Sequence, residues 1–205
     1  MINKLTSRNR FTFYSPYLRV FICLYLLKDL IIMWEFNDII YLNNSFLSLD
    51  VLPYLNFLNI DIQSIRNNFY LFYSIYILLI FLFLFGIGKR ITPFLLFLSL
   101  GVIQTLSWFT LNGGDNILKF LVLYYVFIDS YDKFCLLKSR NDDNNELTNF
   151  LSNLGGFSIC IHICLVYFIS AVHKIHADVW FNGVATYYIL AAERFQGTSL
   201  NTSLV

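Results

Sequence analysis

The sequence predicts an all-α, polytopic integral membrane protein, a bundle of about five transmembrane helices plus a short C-terminal interfacial or re-entrant helix. Of its 205 residues, 58% are hydrophobic and only 13% are charged, whereas soluble domains carry about 25% charged residues. Aromatic residues reach 19%, which is typical of lipid-facing surfaces and interfacial belts. The formal net charge of +1 gives no electrostatic argument for a nucleic-acid partner. We expect one transmembrane domain over residues 1–205, in contact with the lipid bilayer.

Five stretches are long and apolar enough to be predicted as membrane helices, since a span needs about 20 mostly apolar residues. A basic N-terminus precedes the first stretch and no small-residue cleavage site follows it, so this stretch is interpreted as a retained signal-anchor. The tract 138–149 is predicted as a solvated loop, and the amphipathic connection 35–68 is expected to hold short interfacial helices. The final apolar stretch, 183–192, is too short to span. The predicted spans are 15–34, 69–87, 91–110, 116–132 and 156–174.

The Lys and Arg residues between the spans predict the orientation. Counted in alternate loops, eight lie on the N-terminal side and three on the opposite side. Because cytoplasmic loops carry the excess of Lys and Arg, the N-terminus is predicted to be cytoplasmic. The NGGD turn at 112–115 and the HKIHADVW stretch at 173–180 then share the outer side.

Polar residues collect at the outer ends of the predicted helices. Such residues are costly inside a membrane and need partners or a wet cavity, so we expect an outward-facing polar pocket. The alternative is that they reach the headgroups separately, without meeting. Arg19 lies instead in the inner half of the first span, and a structural ion pair with Asp129 or Asp132 is predicted for it. The expected pocket-lining residues are Lys28, Asp29, Gln104, Asn112, Asp115, Lys119 and Trp180.

The NGGD turn allows two interpretations. Its two glycines permit a tight turn, and Asp115 can cap the fourth helix four residues before Lys119. The other interpretation is that the helix N-terminus and Lys119 hold an anionic group. The capping interpretation is favoured.

Lys174, beside His173, is the candidate catalytic residue. A lysine that is partly desolvated in a pocket loses its preference for the charged form and can act as a base. The alternative is an interfacial anchor with Trp180 as its neighbour. No metal site is expected, because His162 and His173 lie about 16 Å apart along a helix and the spacing of His173 and His176 is weak. The four cysteines are interpreted as packing residues.

Three stretches together resemble a known family. PYLRVFICLYLLKDL is similar to the first helix of the horizontally transferred transmembrane domain, which is related to the vitamin K-dependent gamma-carboxylase. IQTLSWFTLNGGDNILKFLVLYYVFID and YFISAVHKIHADVWFNGVATYYIL resemble its bacterial branch, the sporulation-delaying protein B family. The resemblance covers roughly residues 10–195, and the NGGD turn and the spacing from Trp180 to Tyr188 are its more specific features.

The resemblance implies that Lys174 matches the lysine that deprotonates vitamin K hydroquinone in the carboxylase. It also implies a partner protein and a secreted antimicrobial peptide that is matured. Three departures weaken the likeness: His173 stands where the carboxylase has a second lysine, Val179 is an extra residue, and nothing corresponds to the carboxylase's lumenal domain. Family members continue with further helices, so a chain truncated at its C-terminus is expected.

The sequence therefore predicts a membrane protein involved in the maturation or export of a secreted antimicrobial peptide. The alternative is a non-catalytic membrane scaffold or immunity subunit. A small transporter is the weaker third hypothesis, because no internal repeat is visible. Neither a cofactor nor a definite reaction is assigned, and whether the chain is an enzyme stays open.

Overall fold

A computed structural model describes residues 6, 9–42, 62–131, 133–136 and 146–191, and the elements within these ranges are helical, with no strand. This agrees with the predicted all-α class. Two short helices, Trp34–Phe36 and Asp38–Leu42, follow the first long helix and begin the connection in which short helices were expected. The other helices are α1 (Tyr14–Met33), α2 (Ile62–Asn67), α3 (Phe69–Leu84), α4 (Ile91–Leu106), α5 (Gly113–Tyr124), α6 (Glu146–His176), α7 (Asp178–Phe181) and α8 (Ala185–Ala191).

Helices α3 and α4 lie within the second and third predicted spans, and α1 begins one residue before the first, but the fourth prediction is wrong in its extent. Helix α5 ends at Tyr124, and a turn at 125–127 leads into an irregular segment up to Tyr131. The reason is a tertiary contact. Carbonyl groups of the following segment accept hydrogen bonds from Arg19, so they do not form the hydrogen bonds of a continuing helix.

Helix α6 begins ten residues before the predicted span, at Glu146. The polar side chains of its early turns are used in packing rather than left in solvent. Asn153 accepts a hydrogen bond from the Arg10 N–H at 2.8 Å, and the Ser152 hydroxyl accepts one from the Asp129 N–H at 2.8 Å. Residues 138–145 of the predicted loop lie outside the described residues.

Within the described chain, α6 is the one helix that is long and apolar enough to cross a membrane. Only 17% of its most apolar stretch is buried, so its apolar side chains face outward. Helices α3 and α4 have 16 residues each, which gives them a length of about 24 Å against a hydrocarbon core of about 30 Å. A five-span bundle therefore stays a prediction.

The chain divides into two compact units, Met1–Ile159 and Cys160–Val205. In the first unit, α1 packs against α3, and α4 packs against both α3 and α5. Gly156 allows a close approach there, because a Cβ on this residue would overlap the ring of Phe11. The second unit contains the C-terminal part of α6, followed by α7 and α8. The expected single transmembrane domain stays a prediction.

Arg19 is fully buried in α1, and its hydrogen bonds show that the predicted ion pair is not made with Asp129. The guanidinium donates to the carbonyl oxygens of Ser130 at 2.8 Å, Lys133 at 2.9 Å and Phe134 at 3.0 Å. Asp129 is not among its acceptors, and Asp132 lies outside the described residues. Five N–H donors on a planar group can serve several carbonyls at once. Among the described residues, carbonyl groups of a broken segment are therefore the groups that accept hydrogen bonds from this charge.

Gly86 makes the turn between α3 and α4 compatible with this arrangement. Its φ of +67° lies in the left-handed region, and a Cβ there would overlap Cys135 and approach Arg19 Nη1 to 3.1 Å. Glycine adopts this conformation without a steric penalty. A side chain at Gly86 would therefore disturb both the turn and the contacts of Arg19 with the segment 130–135.

Candidate functional site

A cavity of about 280 Å³ in the first unit, here called the Gln104 cavity, is formed by α1, α4, the Asn112 turn and the start of α5. Five of the residues predicted from the sequence to line a pocket line this one. They come from three helices and one turn that are distant in sequence. The five are Lys28, Asp29, Gln104, Asn112 and Asp115.

Gln104 is the most deeply placed of these polar residues, at 5% exposed. Its Nε2 donates to the carbonyl oxygen of Asp115 at 2.8 Å, which fixes the orientation of the amide. Its Oε1 is buried, and no residue in the described ranges donates to it. Buried polar atoms in native proteins nearly always have a partner. Gln104 therefore holds a buried hydrogen-bond acceptor beside the cavity that lacks a described donor.

Lys28 and Asp29 form an ion pair of 2.9 Å at the cavity, with side chains 53% and 35% exposed. The Lys28 ammonium also lies 4.3 Å from the ring centroid of Tyr25. Exposed pairs of this kind contribute little to stability, about 0–1 kcal/mol. With Asp115, the described lining has two carboxylates and one cation, so its charge favours donor groups and cations over anions.

The NGGD turn is a capping box at the start of α5. Asn112 Oδ1 accepts from the N–H groups of Gly114 at 2.7 Å and Asp115 at 3.3 Å, and Asp115 Oδ2 accepts from the Asn112 N–H at 2.8 Å. Asn112 is thus the N-cap, and Asp115, which was predicted to be the cap, is its reciprocal partner at the third helical position. The helix N-terminus is occupied by the protein's own groups, which argues against the anion-binding interpretation.

Lys119 is 4% exposed and is not among the residues that line the Gln104 cavity. Its ammonium lies 5.6 Å from the ring centroid of Phe120. The side chain of Lys119 is therefore buried, one turn beyond the capping box. Its expected role in lining a pocket does not extend to this cavity.

The remaining predicted residues, His173, Lys174 and Trp180, belong to the second unit. Lys174 is exposed at the end of α6, and its ammonium lies 4.6 Å from the ring centroid of Trp180. His173 is exposed as well, and the next histidine, His176, bonds through Nδ1 to the Val172 carbonyl at 2.8 Å. The lysine–tryptophan contact agrees with the anchor interpretation, and catalysis by Lys174 stays a prediction.

Tyr41 lines the Gln104 cavity and was not predicted from the sequence. It is 5% exposed, and its ring stacks on Phe69 at 5.0 Å. Burial, together with the nearby Tyr73 and Asp29, raises the pKa of the Tyr41 phenol, so the hydroxyl stays protonated. Its position depends on the short helix Asp38–Leu42. Short helices were expected in this connection, but a helix of five residues is too short to show an apolar period, so the sequence carried no signal that Tyr41 would be buried.

Comparison of the chain with protein-family profiles, curated proteins and solved structures finds no match. The resemblance to the sporulation-delaying protein B family therefore stays a sequence-based prediction.

Proposed function

We propose that this chain is a multi-pass membrane protein that takes part in the maturation or export of a secreted peptide. In this proposal the Gln104 cavity receives hydrogen-bond donors of that peptide, such as backbone N–H groups or an amine. The proposal joins the resemblance of the sequence to peptide-maturing membrane proteins with the chemistry of the cavity.

The observation that carries the proposal is the buried Oε1 of Gln104, held in place through the contact of Nε2 with Asp115. A buried acceptor without a donor costs about 1–3 kcal/mol, and a bound N–H group recovers this free energy. The two nearby carboxylates strengthen the preference for a donor. A cavity of about 280 Å³ has room for one or two small residues and not for a folded domain.

Photo-crosslinking in the native host tests this proposal. A benzoylphenylalanine replaces Leu111, which lines the cavity, and as a matched control it replaces Leu71, which is 65% exposed on α3. We expect a secreted peptide to be captured at 111 and not at 71, and Gln104→Leu to lower the yield at 111. Equal capture at both positions, or capture of lipid alone at 111, would contradict the proposal.

The second candidate is a non-catalytic scaffold or immunity subunit, which the contact of Lys174 with Trp180 favours. An exposed ammonium above an aromatic ring is suited to anchoring at a membrane interface. A strain that lacks the chain distinguishes the two candidates by whether the peptide precursor is still processed. If the chain matures the captured peptide, its precursor accumulates there, whereas a scaffold or immunity role leaves processing intact.

A further inference from the structure

A second cavity in the first unit, here called the Tyr131 cavity, shares no lining residue with the Gln104 cavity. It has a volume of about 560 Å³ and lies between the turn that leads into α4 and the irregular segment after α5. Its lining includes Lys89, Arg90, Asp129, Tyr131 and Thr148. None of these residues is used in the proposed function.

Tyr131 lines this cavity, and its hydroxyl is buried. The residue is 4% exposed, and its ring lies 5.4 Å from the Arg19 guanidinium. No residue of the described ranges forms a hydrogen bond with its hydroxyl. Such an atom in a native interior requires an explanation, and a ligand group that accepts a hydrogen bond is one.

The charge of the cavity favours an anion. The described lining contains two cations, Lys89 and Arg90, and one carboxylate, Asp129. Arg90 also precedes the first residue of α4, and no side chain caps that helix end. The N-terminus of a 16-residue helix adds a partial positive charge at the same place. No described residue accepts a hydrogen bond from the Arg90 guanidinium.

We propose that the Tyr131 cavity binds a phosphate group, with Arg90 and the Tyr131 hydroxyl as its hydrogen-bond donors. A guanidinium fork matches two phosphate oxygens, and the hydroxyl serves a third. The phosphate belongs either to a lipid headgroup or to a soluble phosphate ester. The turn 88–90 is on the predicted cytoplasmic side, where anionic lipids are concentrated.

Native mass spectrometry of the full chain, purified in a maltoside detergent, tests the proposal with three probes. Dioleoylphosphatidylglycerol carries the phosphate, dioleoylglycerol has the same acyl chains without it, and glycerol phosphate has it without acyl chains. We expect one phosphatidylglycerol to be retained and dioleoylglycerol to be lost. Binding of glycerol phosphate identifies a site for soluble esters, and its failure to bind identifies a lipid site.

Three variants decide whether the cavity is responsible. Arg90→Gln should weaken phosphate binding by about tenfold or more, because it removes charge-assisted hydrogen bonds. Tyr131→Phe should weaken it by about threefold or more, and it should fold normally because the lost hydroxyl has no described protein partner. Lys133→Gln removes an exposed cation whose ammonium lies above the Phe13 ring, outside the cavity, and should bind like the unchanged chain.

Two outcomes would overturn the proposal. In the first, Arg90→Gln and Tyr131→Phe both retain the probes like the unchanged chain. In the second, Lys133→Gln weakens binding as much as Arg90→Gln does, which would indicate general surface attraction and no defined site.

Discussion

Two buried polar residues, Arg19 and Gln104, differ in which groups satisfy their hydrogen-bonding atoms. Arg19 is supplied with acceptors by the chain itself, through three carbonyl groups of one segment. Gln104 has its donor side satisfied by Asp115, while its acceptor side is buried without a described donor. The first arrangement is structural, because the hydrogen bonds of both terminal nitrogens are internal, although Nε has no described acceptor. The second leaves a position for a ligand.

Replacing Arg19 by Leu is expected to lower the free energy of unfolding by about 3 kcal/mol or more, since buried carbonyls lose their donors. Arg19→Lys should recover only part of this, because an ammonium cannot reproduce the planar fork. Lys28→Met, which removes one partner of an exposed pair, should cost at most about 1 kcal/mol. Denaturation in mixed micelles measures all three. Equal losses for Arg19→Leu and Lys28→Met would contradict the role of the carbonyls.

Lys174 is tested by the arginine variant. If Lys174 is an interfacial anchor, Lys174→Arg should support normal peptide maturation, because a guanidinium reaches the headgroups as well as an ammonium. If it is a base, the arginine variant should fail, since arginine stays protonated at working pH. Lys174→Met should fail in the second case and insert normally in both. Mass analysis of the secreted peptide, with insertion checked by membrane fractionation, distinguishes the two.

The cavity residues could be predicted from the sequence because polar groups at the ends of apolar helices are conspicuous and must meet or reach water. Five of them line one cavity. Tyr41 and the acceptors of Arg19 could not be predicted, because both depend on segments that lack a helical period. A carboxylate was the natural expectation for a buried arginine, and only the path of the chain shows that carbonyls take its place.

At the scale of the helices, ends are set by short-range chemistry and lengths by packing. The capping box at Asn112 explains where α5 begins, and this could be read from NGGD. The early end of α5 at Tyr124 depends on Arg19, which contacts the segment after this helix. Arg19 and Ser130 are 111 residues apart in the sequence. Local patterns therefore predict the start of α5 better than its end.

Two identical glycine substitutions provide a matched test of helix packing. Gly156→Ala should destabilise the protein by about 1–3 kcal/mol, because the new methyl group overlaps the Phe11 ring and forces it to move. Gly113→Ala has nothing within 4 Å and should be neutral or stabilise α5 by up to about 1 kcal/mol. Thermal unfolding of the purified variants measures both. Destabilisation of the two by the same amount would argue against close packing at Gly156.

At the scale of the whole molecule, the open quantity is the number of membrane crossings. Helix α6 meets the length and composition of a span, and its apolar side chains are largely outward: Tyr167 is 72% exposed and Phe168 is 66% exposed. The shorter α3 and α4 need local thinning of the bilayer or flanking residues to span it. A multi-pass arrangement predicts which side each connection faces.

Cysteine labelling tests that arrangement. In a chain without its four native cysteines, Gly113→Cys should react with an impermeant maleimide added to intact cells, because the eight-to-three distribution of Lys and Arg places this turn outside. Glu146→Cys, at the start of α6, should react only after the membrane is opened. Reaction of both from outside would exclude the predicted topology.

The carbonyl groups around Arg19 impose an order on biosynthesis. If α1 is a membrane span, as the sequence predicts, it emerges from the ribosome long before residues 130–134 exist, and its arginine then enters the membrane without the acceptors that later surround it. An arginine costs about 2.5–3.5 kcal/mol at the centre of an inserting helix, and Arg19, in the second turn of α1, costs less than this. The nascent helix is therefore expected to stay with the insertion machinery until the distant segment arrives. Nascent chains that stop before Ser130 should then be preferred substrates for membrane proteases.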